Sequence, residues 1–190
     1  MNSRDSLDTL FPEKFNAHEN ATRPLEPMLE VHEGSVFGWP YCFWDGQTNN
    51  YVLAPEYGGD GKQVGRCAQF EKPIAAFPAH YAPVDLLFYT GSMFPAHYRG
   101  GAFVTSHGSW NRAPEPMAGY QVVFQPFAGG KPAGNYEVFA GGFTGKDQIM
   151  SPTDAAARPN GTAQGPDGSL YITESLRGKT WRVLYRGSSK

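Results

Sequence analysis

Few residues in this chain stand at spacings that do chemistry by themselves. Ser109 lies two places after His107 in the run His107-Gly108-Ser109-Trp110-Asn111-Arg112. A serine near a histidine invites a hydrolase reading, but no Gly-x-Ser-x-Gly elbow exists to present the nucleophile, and hydrolysis is set aside. Glu56-Tyr57-Gly58-Gly59-Asp60-Gly61 puts two carboxylates in a glycine-rich loop. That loop lacks the EF-hand spacing, so a solvated loop is expected there rather than a metal site. Cys42 and Cys67 show no Cys-x-x-Cys spacing and no Cys-x-x-Cys-His run for covalent haem, which leaves two thiols or one disulfide open. Asn20-Ala21-Thr22 and Asn160-Gly161-Thr162 fit the glycosylation pattern, which matters only in a eukaryotic secretory route.

Composition narrows what such residues can serve. The formal net charge is -2, without a run of lysines or arginines, so a nucleic-acid partner is not expected. No stretch approaches the roughly 18 apolar residues of a membrane helix. Met1-Asn2-Ser3-Arg4-Asp5 carries no apolar core of the signal-peptide kind. Gly 23, Pro 16 and 14% aromatic residues in a chain of 190 suit short strands joined by tight turns.

The elements follow from that composition. The stretch 1–33 mixes charges with Pro12, Pro24 and Pro27 and reads as a loop-rich lead-in with one short helix. Tyr51-Val52-Leu53-Ala54, Leu86-Leu87-Phe88-Tyr89 and Ala102-Phe103-Val104-Thr105 are short apolar runs between Gly and Pro, as buried strands are. Tyr120 to Phe127 and Tyr136 to Phe139 form one expected hairpin across Gly129-Gly130-Lys131-Pro132. Ser169 to Thr173 follows the turn Gly165-Pro166-Asp167-Gly168, and Arg177-Gly178 leads into Trp181 to Tyr185. Trp181, Val183 and Tyr185 share one face of that last strand. The class is all-β; periodicity alone does not separate propeller from sandwich or barrel.

Six blocks in order carry a more specific resemblance. Gly38-Trp39-Pro40-Tyr41-Cys42-Phe43-Trp44-Asp45, Ala79-His80-Tyr81-Ala82-Pro83 with Leu87-Phe88-Tyr89-Thr90-Gly91, and Phe94-Pro95 through Tyr98-Arg99-Gly100 are followed by His107-Gly108-Ser109-Trp110-Asn111-Arg112. Arg158-Pro159 and Gly165-Pro166-Asp167-Gly168-Ser169-Leu170-Tyr171 with Trp181-Arg182-Val183 complete them. Together they resemble the glucose/sorbosone dehydrogenase family of soluble sugar dehydrogenases. The resemblance implies a six-bladed β-propeller, present here only as about the C-terminal half, over residues 34–190. It implies the cofactors pyrroloquinoline quinone (PQQ) and Ca²⁺, and oxidation of an aldose or a sugar aldehyde such as sorbosone. It also implies a periplasmic or secreted location, which favours a Cys42–Cys67 bond.

Residue by residue, Arg158 matches an arginine that pairs with the cofactor's carboxylates, against the plainer reading of a surface arginine before a proline. Asn160 stands where glucose-type relatives place a second arginine. His80 falls on the wall that contacts the quinone, and His107 is similar; for each, a core histidine satisfied by backbone is the other reading. The carbonyls of Trp39 and Pro40 match the turn that ligates calcium. Departures exist as well. Asn160, Thr162 and Gln164 stand where the family's last blade carries more apolar residues, and Glu174-Ser175 replaces Asp-Asp, which bears on the packing of that blade. The Arg4-Asp5 start resembles an internal Gly-Arg-Asp stretch. The family's general-base histidine lies in the half this chain does not match, so the isolated chain is expected to be inactive. A second chain or self-association would complete the propeller. The alternative is a non-catalytic partial propeller that binds carbohydrate or another partner.

Overall fold

The computed structural model describes residues 5–187, so the Arg4 half of the Arg4-Asp5 resemblance lies outside them. Two compact units emerge: residues up to Ala82 together with Ser109–Ala118, and Pro83–Gly108 together with the residues from Gly119 onward. Short antiparallel strands dominate both, as the all-β reading expects.

The first unit takes in the stretch expected as a loop-rich lead-in. From Asp5 on it is folded, with α1 (Leu7–Leu10), α2 (Ala17–Thr22) and β1 (Glu26–Met28) where one helix was expected. The reason α2 starts where it does is local. Asn16 accepts from the Glu19 amide at 2.9 Å while the Glu19 carboxylate accepts from the Asn16 amide at 3.0 Å, a reciprocal capping box. β1 is hidden from local reading because its partner, β4 (Ala75–Phe77), lies far along the chain. Between them β2 (Cys42–Asp45) and β3 (Asn50–Leu53) form a hairpin. Leu7, Phe15, Phe43, Val52 and Ala54 make one core cluster; Cys42, Trp44, Tyr51, Leu53 and Cys67 make a second. Cys42 and Cys67 are joined as a disulfide, which settles the alternative left by their spacing. A buried ion pair, Arg23 Nε to Asp45 Oδ1 at 2.7 Å, ties α2 to the hairpin.

The second unit holds two sheets. The first has the order β10-β7-β6-β5, from β5 (Pro83–Phe88), β6 (Ala102–His107), β7 (Tyr120–Gln125) and β10 (Glu137–Ala140). The expected hairpin is therefore β7 with β10, and a small extra hairpin of β8 (Phe127–Ala128) and β9 (Lys131–Pro132) sits in its connection. The other sheet runs β11 (Pro159–Gln164), β12 (Leu170–Glu174), β13 (Thr180–Val183). Aromatic packing joins the two: Tyr89, Phe94, Phe103 and Phe124 cluster with Leu170 and Ile172. Tyr89 is fully buried, donates its hydroxyl to the Gly168 carbonyl at 2.7 Å and accepts from the Phe94 amide at 3.2 Å. Two motifs distant in sequence, Leu87 to Gly91 and Gly165 to Tyr171, are thereby locked together.

Candidate functional site

β11 was missed at the sequence level, and Arg158, the central residue of the site, stands directly before it. This strand packs on β5 and β6. Side-chain ties hold it there rather than a hydrogen-bonded ladder. Asp85, a lone carboxylate within Val84-Asp85-Leu86, accepts from the Thr162 amide at 2.6 Å and its hydroxyl at 3.0 Å. The Gln164 side-chain oxygen accepts from the Thr90 and Gly91 amides, each at 3.0 Å. His107 Nδ1 meets the Pro159 carbonyl at 2.8 Å. Thr162 and Gln164, which depart from the family's apolar pattern, are thus the residues that fasten the strand. Glu174 also has a structural use: its carboxylate accepts from the amides of Leu176, Arg177 and Lys179, pinning the turn between β12 and β13.

Arg158 enters just ahead of β11. Its Nε donates to the His107 carbonyl at 3.2 Å and its Nη2 to the Gly108 carbonyl at 2.7 Å. The guanidinium lies 5.6 Å from the centre of the Tyr120 ring, within cation–π range. Burial pushes the Tyr120 hydroxyl above its ordinary pKa, and the Arg158 charge opposes the rise. Gly108 makes the arrangement possible. It sits at φ +90°, and a Cβ there would meet the Tyr120 ring at 2.5 Å, so a side chain would displace the ring or the carbonyl that anchors Arg158. The half-buried guanidinium is therefore held by one edge, and Nη1 makes no hydrogen bond among the described residues. A planar cation fixed in this way can donate to a carboxylate with little further loss of side-chain freedom.

His107 and Asn160 flank this group. A neutral His107 bonded to a carbonyl must carry its proton on Nδ1, leaving Nε2 as the lone-pair nitrogen. Asn160 is exposed on β11. The second unit thus brings Arg158, His107 and Asn160 to one end of β6 and β11.

The remaining predicted residues lie in the first unit. His80 is 2% exposed at φ 62°, with Nε2 2.6 Å from the Asn20 carbonyl and Nδ1 3.4 Å from Asp5. Its ring is engaged at both nitrogens, by a backbone carbonyl at one and the Asp5 carboxylate at the other. Trp39 and Pro40 form a turn with a cis peptide bond between them, closed by the Cys42 amide on the Gly38 carbonyl at 3.0 Å. Among the described residues no group of three or more His, Cys, Asp or Glu side chains is placed to hold a metal. Sequence reasoning also passed over Glu26, wholly buried on β1 with neither carboxylate oxygen hydrogen-bonded among the described residues. Nothing local in Leu25-Glu26-Pro27 signals that burial.

Comparison with known proteins follows the same lines. The chain is 33% identical over 150 residues to an uncharacterized protein of Borreliella burgdorferi, an overlap of 78% of this chain and 36% of that one. It is 30% identical over 140 residues to a pyrroloquinoline quinone-dependent pyranose dehydrogenase of Coprinopsis cinerea, covering 64% of this chain and 18% of the relative. The calcium structure of the Trichoderma reesei carbohydrate-active enzyme of family AA12 superposes with a TM-score of 0.55 at 22% identity, over 77% of this chain and 38% of that one. That likeness shows a shared fold. The chain spans between about a fifth and two fifths of the length of these relatives. Among the described residues no helix is long and apolar enough to cross a membrane. A family model described as TrAA12-like matches residues 11–186, and the chain belongs to that family.

Proposed function

We propose that this chain is the quinone-holding portion of a sugar-oxidising enzyme of propeller architecture, the two sheets of its second unit being consecutive blades. One observation carries the reading: Arg158, anchored on the His107 and Gly108 carbonyls, keeps a donor edge for an anionic carboxylate. Its residues fit a polycarboxylate such as pyrroloquinoline quinone, since the site offers a fixed cation just ahead of β11 and the exposed Asn160 amide at the start of that strand. When bound, that quinone would supply a two-electron acceptor for the anomeric carbinol carbon of an aldose such as glucose, or for the hydrated aldehyde carbon of a sugar aldehyde such as sorbosone. Arg158 binds and orients the carboxylate; Asn160 adds a neutral donor; His107 fixes its carbonyl under Arg158 and presents a lone pair at Nε2. His80 is assigned a positioning role within its own unit, through Asn20 and Asp5.

Calcium is assigned to the Trp39 and Pro40 carbonyls. Carbonyl oxygens are suitable hard donors, but Ca²⁺ takes about six to eight oxygens, so two carbonyls fill a minor part of its shell. The disulfide supports an oxidising, periplasmic or secreted compartment. A partner or second copy is proposed to complete the assembly. On β5 the apolar side chains of Val84, Leu86 and Phe88 are 49%, 43% and 49% exposed in one row, the kind of stripe a neighbouring sheet covers.

The proposal is tested by calorimetric titration of pyrroloquinoline quinone with and without Ca²⁺, beside a dye-coupled assay with glucose and sorbosone. Calcium-strengthened binding with negligible turnover by the isolated chain is the expected result. Sedimentation should show self-association that rises with concentration. Robust turnover by the pure chain would contradict its assigned incompleteness, and His107→Ala would then test Nε2 as the base. No quinone binding under any condition would sink the reading altogether.

A further inference from the structure

A cleft lies within the first unit, and the quinone reading touches it only at Trp39, whose backbone carbonyl it assigns to calcium. Its volume is about 270 Å³, and Leu29, Val36, Phe37, Trp39, Trp44 and Tyr51 form much of its wall. No charged residue lines it. Trp44 and Tyr51 are 6% and 3% exposed and meet edge to face at 5.1 Å. Each carries a polar group, the indole Nε1–H and the phenol Oη, that makes no hydrogen bond among the described residues. Burial raises the Tyr51 hydroxyl to a pKa of about 12, so it is a neutral donor at any ordinary pH. The remaining hydroxyl, Ser35 Oγ, is already spent: it donates to Glu71 at 3.1 Å and accepts from the His32 amide at 3.0 Å.

We infer that this cleft binds a small neutral aromatic molecule carrying one or two acceptor oxygens, the class of aryl ketones and benzoquinones. Three features select that class. A charged ligand would be stripped of water against walls that offer no counter-charge. Size fits a ring ligand: an apolar cavity of roughly 150 Å³ holds benzene, so one of about 270 Å³ has room for a substituted benzene. Two orphan donors, on flat aromatic walls, match a planar ligand with one or two acceptor oxygens. A hexose brings more hydroxyls than the walls can satisfy, and each hydroxyl left without a partner costs affinity.

Acetophenone, ethylbenzene and glucose test the inference on the whole chain, by saturation-transfer NMR and quenching of tryptophan fluorescence. Acetophenone and ethylbenzene share a shape and differ in one acceptor oxygen. Saturable acetophenone binding is expected, tighter than ethylbenzene by about threefold to tenfold, with no saturable response to glucose. In Tyr51→Phe the ratio between the two aromatics should shrink toward one. Val36→Trp should block both, and Val36 is 56% exposed, so this change spares the core. Absence of saturable binding by either aromatic, an undiminished response in Val36→Trp, or glucose binding as well as acetophenone would each overturn the proposal. Quinone titration is read separately, so failure here leaves the assignment of Arg158 standing.

Discussion

Replacing Glu26 with glutamine should make the protein more stable at pH 8 and remove a pH dependence that the wild type carries. Glu26 is wholly buried on β1, and neither carboxylate oxygen finds a hydrogen-bond partner among the described residues. Burial pushes its pKa from 4.5 up to about 7; His80 and the nearby Ala82 backbone oppose the rise, and Asp5 adds to it. The folded state therefore holds a proton between pH 4.5 and 7 that the unfolded chain has released. In that window stability falls as pH rises, and above pH 7 both states are ionised and the slope vanishes. A difference of this size amounts to about 3 kcal/mol lost between pH 4.5 and pH 8. Glutamine keeps the shape and cannot ionise, so the variant should lose almost none of it. Denaturant unfolding of the oxidised protein at pH 5 and pH 8, followed by tryptophan fluorescence, measures both. A wild type equally stable at the two pH values, or a Glu26→Gln variant with the same slope, would refute the reasoning.

Other perturbations test the second unit and the disulfide. Gly108→Ala places a methyl 2.5 Å from the Tyr120 ring at φ +90°, and should cost about 2 kcal/mol or more in thermal unfolding while weakening quinone binding. Asp85→Ala removes both bonds to Thr162 and should lower stability by about 1–2 kcal/mol, seen as a shifted denaturation midpoint. Cys67→Ser opens a loop with a sequence separation of 25, which the chain-entropy account values at about 3 kcal/mol. Mass spectrometry of the protein from an oxidising compartment should find no free thiol, and two free thiols there would count against the bond.

Much of the strand pattern was legible because apolar runs flanked by Gly and Pro report burial locally. Val52, Phe103 and Leu170 show it, each fully buried in a strand. β1 and β11 were not legible for a shared reason: what makes them strands lies elsewhere in the chain. Glu26-Pro27-Met28 becomes a strand through Ala75–Phe77, and Pro159–Gln164 becomes one through Leu170–Glu174. The candidate site was visible as motifs, in Arg158-Pro159 and His107-Gly108, because each motif lies within a contiguous run. Its supports were not. The value of Gly108 depends on Tyr120, and that of Thr162 on Asp85, 77 positions away. His80 shows the limit of a motif: its match names a wall position, while the structure adds that Asn20 and Asp5 engage the ring.

The central claim is that the anchored guanidinium of Arg158 recognises a carboxylate of the quinone. Equilibrium titration of pyrroloquinoline quinone into the wild type, Arg158→Lys and Arg158→Ala, at low and high salt, tests it most directly. A charge-assisted, geometrically fixed contact predicts the order wild type, lysine, alanine, with a loss of about tenfold or more for alanine. Lysine should recover only part of it, because an ammonium cannot hold the His107 and Gly108 carbonyls while offering a planar donor edge. Three folded proteins with equal affinity would contradict the account.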